Sequence, residues 1–173
     1  TVMNIGSDDW FPLHIADDFS LPAGASTISK IRWEGYFAGM MKGDPIPPRE
    51  FNIEIYGTFP AASVPPTPIH AFYNIRPTVR HAGLFGRRKF NFGVFPQLKF
   101  TYSIPRIHLD PGRTYWISIW GSTPTSRTGF FGSAHTTTAG NTLCMFPTFS
   151  PSFFPVAFWY PAHIYDVSFQ LFE

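Results

Sequence analysis

Hydrophobic and polar residues alternate along much of this chain with the period of two that is typical of β-strands. The longest such stretch is 112–121, which begins after an Asp-Pro turn and ends at a glycine. Its two alternating sets of side chains are Tyr115, Ile117 and Ile119, and Trp116, Ser118 and Trp120. Because both sets are largely apolar, we expect a central strand that is covered on both faces, or one that presents aromatic rings on its second face.

Nine stretches have the composition of strands, and turn residues separate them. They are 14–21, 27–37, 51–56, 69–75, 98–104, 112–121, 129–134, 157–160 and 165–172, and 79–93 could form a further long hairpin. The chain contains 18 Pro and 14 Gly, which break helices and are typical of all-β turns. The pattern predicts an all-β fold, an antiparallel two-sheet β-sandwich of about nine strands that is jelly-roll-like, with the last strand beside the first ones.

The length of 173 residues suits one domain. We expect an N-terminal arm at 1–12 and a single sandwich domain at 13–173, with a long loop rich in Phe and Pro at 122–155. The arm has no clear period, so it either lies over the domain or docks onto a neighbour.

Charged residues make up only 14% of the chain, against about 25% in typical domains, and the net charge is +2. The cations are dispersed apart from Arg87-Arg88-Lys89, for which we favour a solvated hairpin tip. A nucleic-acid partner is not expected, because it would require a basic face with many phosphate contacts. No run approaches the roughly 18 apolar residues of a membrane span. A chain that begins with Thr1 fits an exported, processed protein, so we expect an extracellular or cell-surface location.

Motifs for catalysis are not evident, and we expect a protein that is not an enzyme. Cys144 is the only cysteine, and the six histidines lack the spacing of a zinc site. Calcium is more plausible than zinc, because Asp17, Asp18 and Asp166 lie in strands that a jelly roll could bring together. The interpretation that we favour is instead that Asp17 or Asp18 accepts hydrogen bonds from backbone donors.

Aromatic residues are the remaining candidates for function. A flat platform for sugar rings could be formed by Trp120, Phe130, Phe131, Trp159 and Tyr160, although core packing is the more frequent role of such side chains. The chain has 20 Phe, more than the interior of one sandwich can readily hold. Exposed apolar loops usually contact a partner. A predicted interface therefore comprises Trp10, Phe11, Phe146, Phe149, Phe153 and Phe154.

Five short motifs resemble, in the same order, a family of secreted bacterial β-sandwich domains found in surface proteins with a C-terminal sorting anchor. The motifs are Ala-Asp-Asp-Phe at 16–19, Ile-Arg-Trp-Glu-Gly-Tyr at 31–36, Phe-Asn-Ile-Glu-Ile-Tyr at 51–56, Pro-Gly-Arg-Thr-Tyr-Trp-Ile-Ser-Ile at 111–119 and Tyr-Asp-Val-Ser-Phe at 165–169. The resemblance implies an extracellular location and a fold similar in outline to jelly-roll carbohydrate-binding modules. It implies no particular activity, and residues 124–155 are longer and richer in Phe than the family pattern.

Two functions from different classes follow from these observations. The first, which we favour, is an extracellular structural subunit that self-associates or packs against other surface components in a filament, sheath, layer or matrix. The second is a carbohydrate-binding module that uses the aromatic platform, with or without calcium. A viral jelly-roll coat protein is a distant third, because a fold does not assign a function.

Overall fold

The structure is a computed structural model that describes residues 16–38, 50–57, 67–85, 95–122, 130–133, 144–147, 159–162 and 168–173. Within these ranges every regular element is a β-strand. The strands are β1 (Ala16–Ser20), β2 (Thr27–Ala38), β3 (Glu50–Tyr56), β4 (His70–Ile75), β5 (Thr78–Phe85), β6 (Phe95–His108), β7 (Thr114–Ser122), β8 (Phe130–Ser133), β9 (Cys144–Pro147), β10 (Trp159–Ala162) and β11 (Phe169–Phe172).

The strands form two antiparallel sheets, which confirms the predicted β-sandwich. The first sheet has six strands in the order β10-β9-β1-β7-β3-β4. The second sheet has the order β11-β2-β6-β5, and β8 pairs with β2 beyond the end of β11. The last strand therefore returns beside one of the first strands, as the jelly-roll pattern predicts.

The described ranges contain eleven strands rather than about nine. One addition is β5, which covers the first part of the possible hairpin at 79–93 but pairs with β6, a strand that begins after that range. The other is β9, whose sequence Cys-Met-Phe-Pro shows no alternation of polar and apolar residues. Residues 122–155, expected to be mainly loop, thus include β9 as well as the predicted β8.

Strand β7 lies at the centre of the first sheet, between β1 and β3. Ile117 and Ile119 point into the sandwich and belong to its core. On the opposite face Trp116 and Trp120 are only 6% and 5% exposed. The prediction of a central strand covered on both faces is therefore confirmed.

Three large aromatic side chains fill the middle of the space between the sheets. The Trp33 and Phe100 rings stack with centroids 5.4 Å apart and an interplanar angle of 15°. Phe51 reaches across from β3 and contacts both rings, with centroids 5.2 Å from Trp33 and 4.7 Å from Phe100. Because the rings come from both sheets, this cluster holds the two layers together.

Two tight turns meet at one end of the sandwich. In the first, the amide of Ala25 donates to the carbonyl of Pro22 at 3.1 Å, and Gly24 has a φ of 94°. The second turn runs from Asp110 to Arg113, and its Gly112 has a φ of 73°. Positive φ at the third position is the requirement of a type II turn, which explains the glycine in each.

Candidate functional site

A cluster of hydroxyl and carboxylate groups lies on the outer face of the first sheet. The phenol of Tyr73 on β4 donates to Oε1 of Glu54 on β3 at 2.5 Å, and the phenol of Tyr56 donates to Oε2. The hydrogen bond to Glu54 raises the pKa of Tyr73 to about 12, with smaller contributions from burial and from the Glu54 charge. Burial, and then the same carboxylate, raise the pKa of Tyr56 as well. Both phenols therefore stay protonated, and Tyr73 presents its ring to solvent.

Ser118 lies directly opposite Glu54 in the pairing of β3 with β7. It is completely buried, and its hydroxyl has no hydrogen-bond partner among the described residues. Asn52, on the same face, accepts a hydrogen bond from the amide of Asn74 at 2.9 Å. Asn74 has a φ of 55° and lies where one extra residue of β4 opposes β3, so Asn52 stabilises a β-bulge in this strand.

The residues of the predicted sugar platform are distributed over both sheets. Trp120 is buried on β7, while Phe130 and Phe131 lie on β8 beside β2 in the second sheet. Trp159 and Tyr160 lie on β10, at the edge of the first sheet. One row of paired residues crosses four strands and consists of Ser118, Ala16, Met145 and Pro161. Trp120 and Trp159 each lie two residues from this row in the same direction, so they are level with each other but three strands apart. That separation is about 14 Å along the first sheet, whereas Phe130 and Phe131 belong to the second sheet.

The residues of the predicted interface lie mostly outside the described ranges. Phe146 is on β9, where it pairs with Tyr160 of β10. Trp10, Phe11, Phe149, Phe153 and Phe154 belong to the other parts of the chain, and their contribution to an interface stays a prediction.

The candidate calcium ligands Asp17 and Asp18 are adjacent on β1, and Asp166 lies outside the described ranges. Asp17 is 2% exposed, and its Oδ1 accepts a hydrogen bond from the amide of Asp18 at 3.0 Å. This is the role of a backbone acceptor that the sequence favoured. Successive strand residues point to opposite faces, so the two carboxyl groups leave β1 in opposite directions. The described residues contain no group of three or more His, Cys, Asp or Glu that could hold a metal ion.

Among the described strands, one side of the sandwich is an open edge. Strands β4 and β5 follow each other in the chain and end the first and second sheets, respectively. Three large apolar residues of the described ranges are markedly exposed, Ile69 (47%), Tyr73 (55%) and Val79 (43%). All three belong to β4, to β5 or to the residue before β4. Apolar side chains are therefore exposed on the strands that end the two described sheets on this side.

The outer face of the second sheet is basic. This face carries Lys30, Arg32 and Glu34, which alternate with core residues on β2, and Lys99, which alternates with core residues on β6. Arg80 on β5 joins them because it lies directly opposite Lys99. The sequence contained part of the signal, since Lys30 and Arg32 occupy outward positions of a predicted strand. The pairing with Lys99 and Arg80 depends on strand order, and sequence reasoning therefore missed this face.

The described architecture is that of an antiparallel β-sandwich with one open edge, a basic outer face and a second outer face that carries a Tyr–Glu–Tyr cluster. No protein-family model, no curated protein and no solved structure matches the chain. None of the described residues belongs to a helix that is long and apolar enough to cross a membrane.

Proposed function

We propose that this protein is a non-catalytic, extracellular structural subunit that self-associates. The observation that carries the proposal is the open edge at β4 and β5, where Ile69, Tyr73 and Val79 are exposed. A strand at the end of a sheet leaves one row of N–H and C=O groups without a partner strand, and a second chain can satisfy that row. The low fraction of charged residues, 14%, also suits a protein with extensive interfaces.

The partner at this edge is β4 of a second copy. Its sequence, His-Ala-Phe-Tyr-Asn-Ile, lacks the Lys and Pro that natural edge strands use to prevent pairing. An antiparallel pair of identical edges is self-complementary, because each strand offers the same donors and acceptors to the other. The bulge at Asn74 limits regular pairing to the first residues of β4, so additional contacts would be required for a stable assembly.

The sequence supplies candidates for those contacts. One is the arm at 1–12, which either lies over the domain or docks onto a neighbour, and the other is the loop rich in Phe and Pro at 122–155. Pairing at β4 together with arm docking would give each subunit two different contacts. Repetition of two different contacts generates an extended filament or layer.

The experiment measures the assembly state of purified protein by light scattering and negative-stain microscopy. Three proteins are compared with the unchanged chain: one lacking residues 1–12, one with Ala71→Lys on β4, and one with Ser103→Lys on β6 as the matched control. Ala71 and Ser103 are both exposed, but only Ala71 lies on an edge strand. We expect the deletion and Ala71→Lys to dissolve ordered assemblies and Ser103→Lys to leave them intact. A monomeric unchanged chain would contradict the proposal.

A carbohydrate-binding module is the second candidate, and the Tyr–Glu–Tyr cluster favours it. An exposed Tyr73 ring beside the Glu54 carboxylate combines a stacking surface with an acceptor for sugar hydroxyls. A glycan screen with Tyr73→Ala as the negative control tests this function. Trp120→Ala is a poorer choice of control, because Trp120 is buried.

A further inference from the structure

The outer face of the second sheet collects cations that lie far apart in the sequence. Among its described side chains, Lys30, Arg32, Arg80 and Lys99 are basic and Glu34 is acidic. These five side chains carry a net charge of +3, which is more than the net charge of +2 for the whole chain. This basic face is therefore a local concentration of charge that the fold creates.

One pair on the basic face is unfavourable by itself. Arg80 on β5 lies directly opposite Lys99 on β6, and like charges at directly opposite positions destabilise a sheet. Glu34 compensates only Lys99, through a contact of 2.9 Å between Oε1 and Nζ. Its other oxygen accepts a hydrogen bond from Gln97 at 2.7 Å. Arg80 has no carboxylate partner among the described residues, and a bound anion would offset the repulsion.

The other two cations lie against an aromatic ring. The Arg32 guanidinium carbon is 4.8 Å and the Lys30 ammonium 5.5 Å from the centroid of the Phe172 ring. Arg32 also donates to Oε1 of Gln170 at 3.2 Å, and its Nε is buried and has no hydrogen-bond partner within the described ranges. Neither cation forms an ion pair with a described carboxylate, so both retain charge that can attract an anionic ligand.

Hydroxyl groups lie between the cations. Thr101 on β6 is directly opposite both Arg32 on β2 and Thr78 on β5. Arg80 lies two strands and two residues from Arg32, which corresponds to about 12 Å between their Cα atoms. The face therefore offers separated positive charges with hydrogen-bonding groups between them, which fits a ligand whose anionic groups alternate with hydroxyl groups.

We propose that the basic face binds a linear acidic polysaccharide whose sugar units carry carboxylates. Carboxylates would lie at Arg80 and Arg32, and sugar hydroxyls would bond to Thr78 and Thr101. A single-stranded nucleic acid fits less well, because it requires aromatic rings for its bases and the Phe172 ring already contacts two cations. This inference depends neither on self-association nor on Tyr73.

The test is titration calorimetry of the full chain with polygalacturonate oligomers, at several salt concentrations. Methyl-esterified oligomers of the same length are the neutral control ligand. Arg80→Gln and Arg32→Gln are the test variants, and Arg76→Gln is the matched control, because Arg76 instead pairs with Glu50 at 2.6 Å. We expect each test variant to bind about tenfold more weakly and with a reduced salt dependence. Arg76→Gln should bind like the unchanged chain.

Thermal unfolding separates this role from a structural one. Arg80→Gln removes a like-charge pair, so its midpoint temperature should stay constant or rise, whereas loss of a structural contact would lower it. The proposal is overturned if the unchanged chain does not bind polygalacturonate, or if it binds the methyl-esterified oligomers equally well. It is also overturned if Arg76→Gln weakens binding as much as the test variants. Tighter binding to oligothymidylate or polyglutamate of equal charge would assign the face to another class of ligand.

Discussion

The amide N–H of Gly112 donates a hydrogen bond to the carbonyl oxygen of Leu21 at 3.1 Å. Nearby, the amide of Leu109 donates to the carbonyl of Ser26 at 3.0 Å. These bonds join the connection from β1 to β2, which crosses from the first sheet to the second, with the connection from β6 to β7, which crosses back. Both connections link the two sheets, so the backbone geometry of Gly112 affects how the sheets are aligned as well as the turn that contains it.

Replacing Gly112 by alanine should lower the free energy of unfolding by about 1–2 kcal/mol, because its φ of 73° is strained for a residue with a Cβ. An added Cβ would meet no atom within 4 Å, so the loss would come from the backbone alone. Unfolding in urea measures this loss of free energy. Gly57→Ala is the control, since its backbone is not left-handed and its Cβ would make an ordinary contact with Ile69 at 3.4 Å. An equal loss in both variants would contradict this explanation.

The hydrogen bond from Tyr73 to Glu54 should produce a stability change at alkaline pH. The pKa of the Tyr73 phenol rises from 10.0 to about 12 in the folded protein, because only the neutral phenol can donate this hydrogen bond. The resulting stability is fully present below pH 10 and is lost as the pH rises through 12. Tyr73→Phe should unfold with a shallower pH dependence across this window.

Ultraviolet titration at the tyrosinate absorbance provides the second measurement for Tyr73. Glu54→Gln removes the charge and the strong acceptor, so the phenol of Tyr73 should titrate closer to pH 10 than to pH 12. An unchanged titration curve in Glu54→Gln would show that this carboxylate is not the cause of the shift.

The aromatic cluster should be the most sensitive part of the core. Phe100 is completely buried between Trp33 and Phe51, and its replacement by alanine should cost about 3–5 kcal/mol. If that variant does not fold, Phe100→Leu should still lose about 1–2 kcal/mol in a denaturant titration. Phe72→Leu, at a partly buried position on the edge strand β4, is the control and should lose less.

Removal of calcium should leave the thermal stability unchanged, because Asp17 bonds to the backbone and Asp18 points to the other face. Differential scanning calorimetry with millimolar calcium or with a chelator tests this. Asp17→Ala should lose about 1–3 kcal/mol, since the amide of Asp18 loses its acceptor, while Asp17→Asn retains an acceptor and should lose less. If calcium raises the midpoint temperature of unfolding, and Asp17→Asn abolishes that rise, Asp17 is a calcium ligand after all.

The fold class and the core could be predicted from the sequence, because apolar and polar residues alternate along a strand that has one buried and one exposed face. The alternation at 51–56 predicts that Phe51, Ile53 and Ile55 face inward and that Asn52 and Glu54 face outward, and the first three do belong to the core. Strand β9 could not be predicted in this way, because its four residues show no alternation.

The surfaces depend on the tertiary structure, because strand order and register are not local properties of the sequence. Lys99 and Glu34 are 65 residues apart in the numbering yet form an ion pair, and Tyr73 meets Glu54 only because β4 pairs with β3. A shift of one residue in either pairing would turn these side chains to the opposite face. Alternation within a strand thus determined which residues face outward, and strand order and register within each sheet decided which of those outward residues meet.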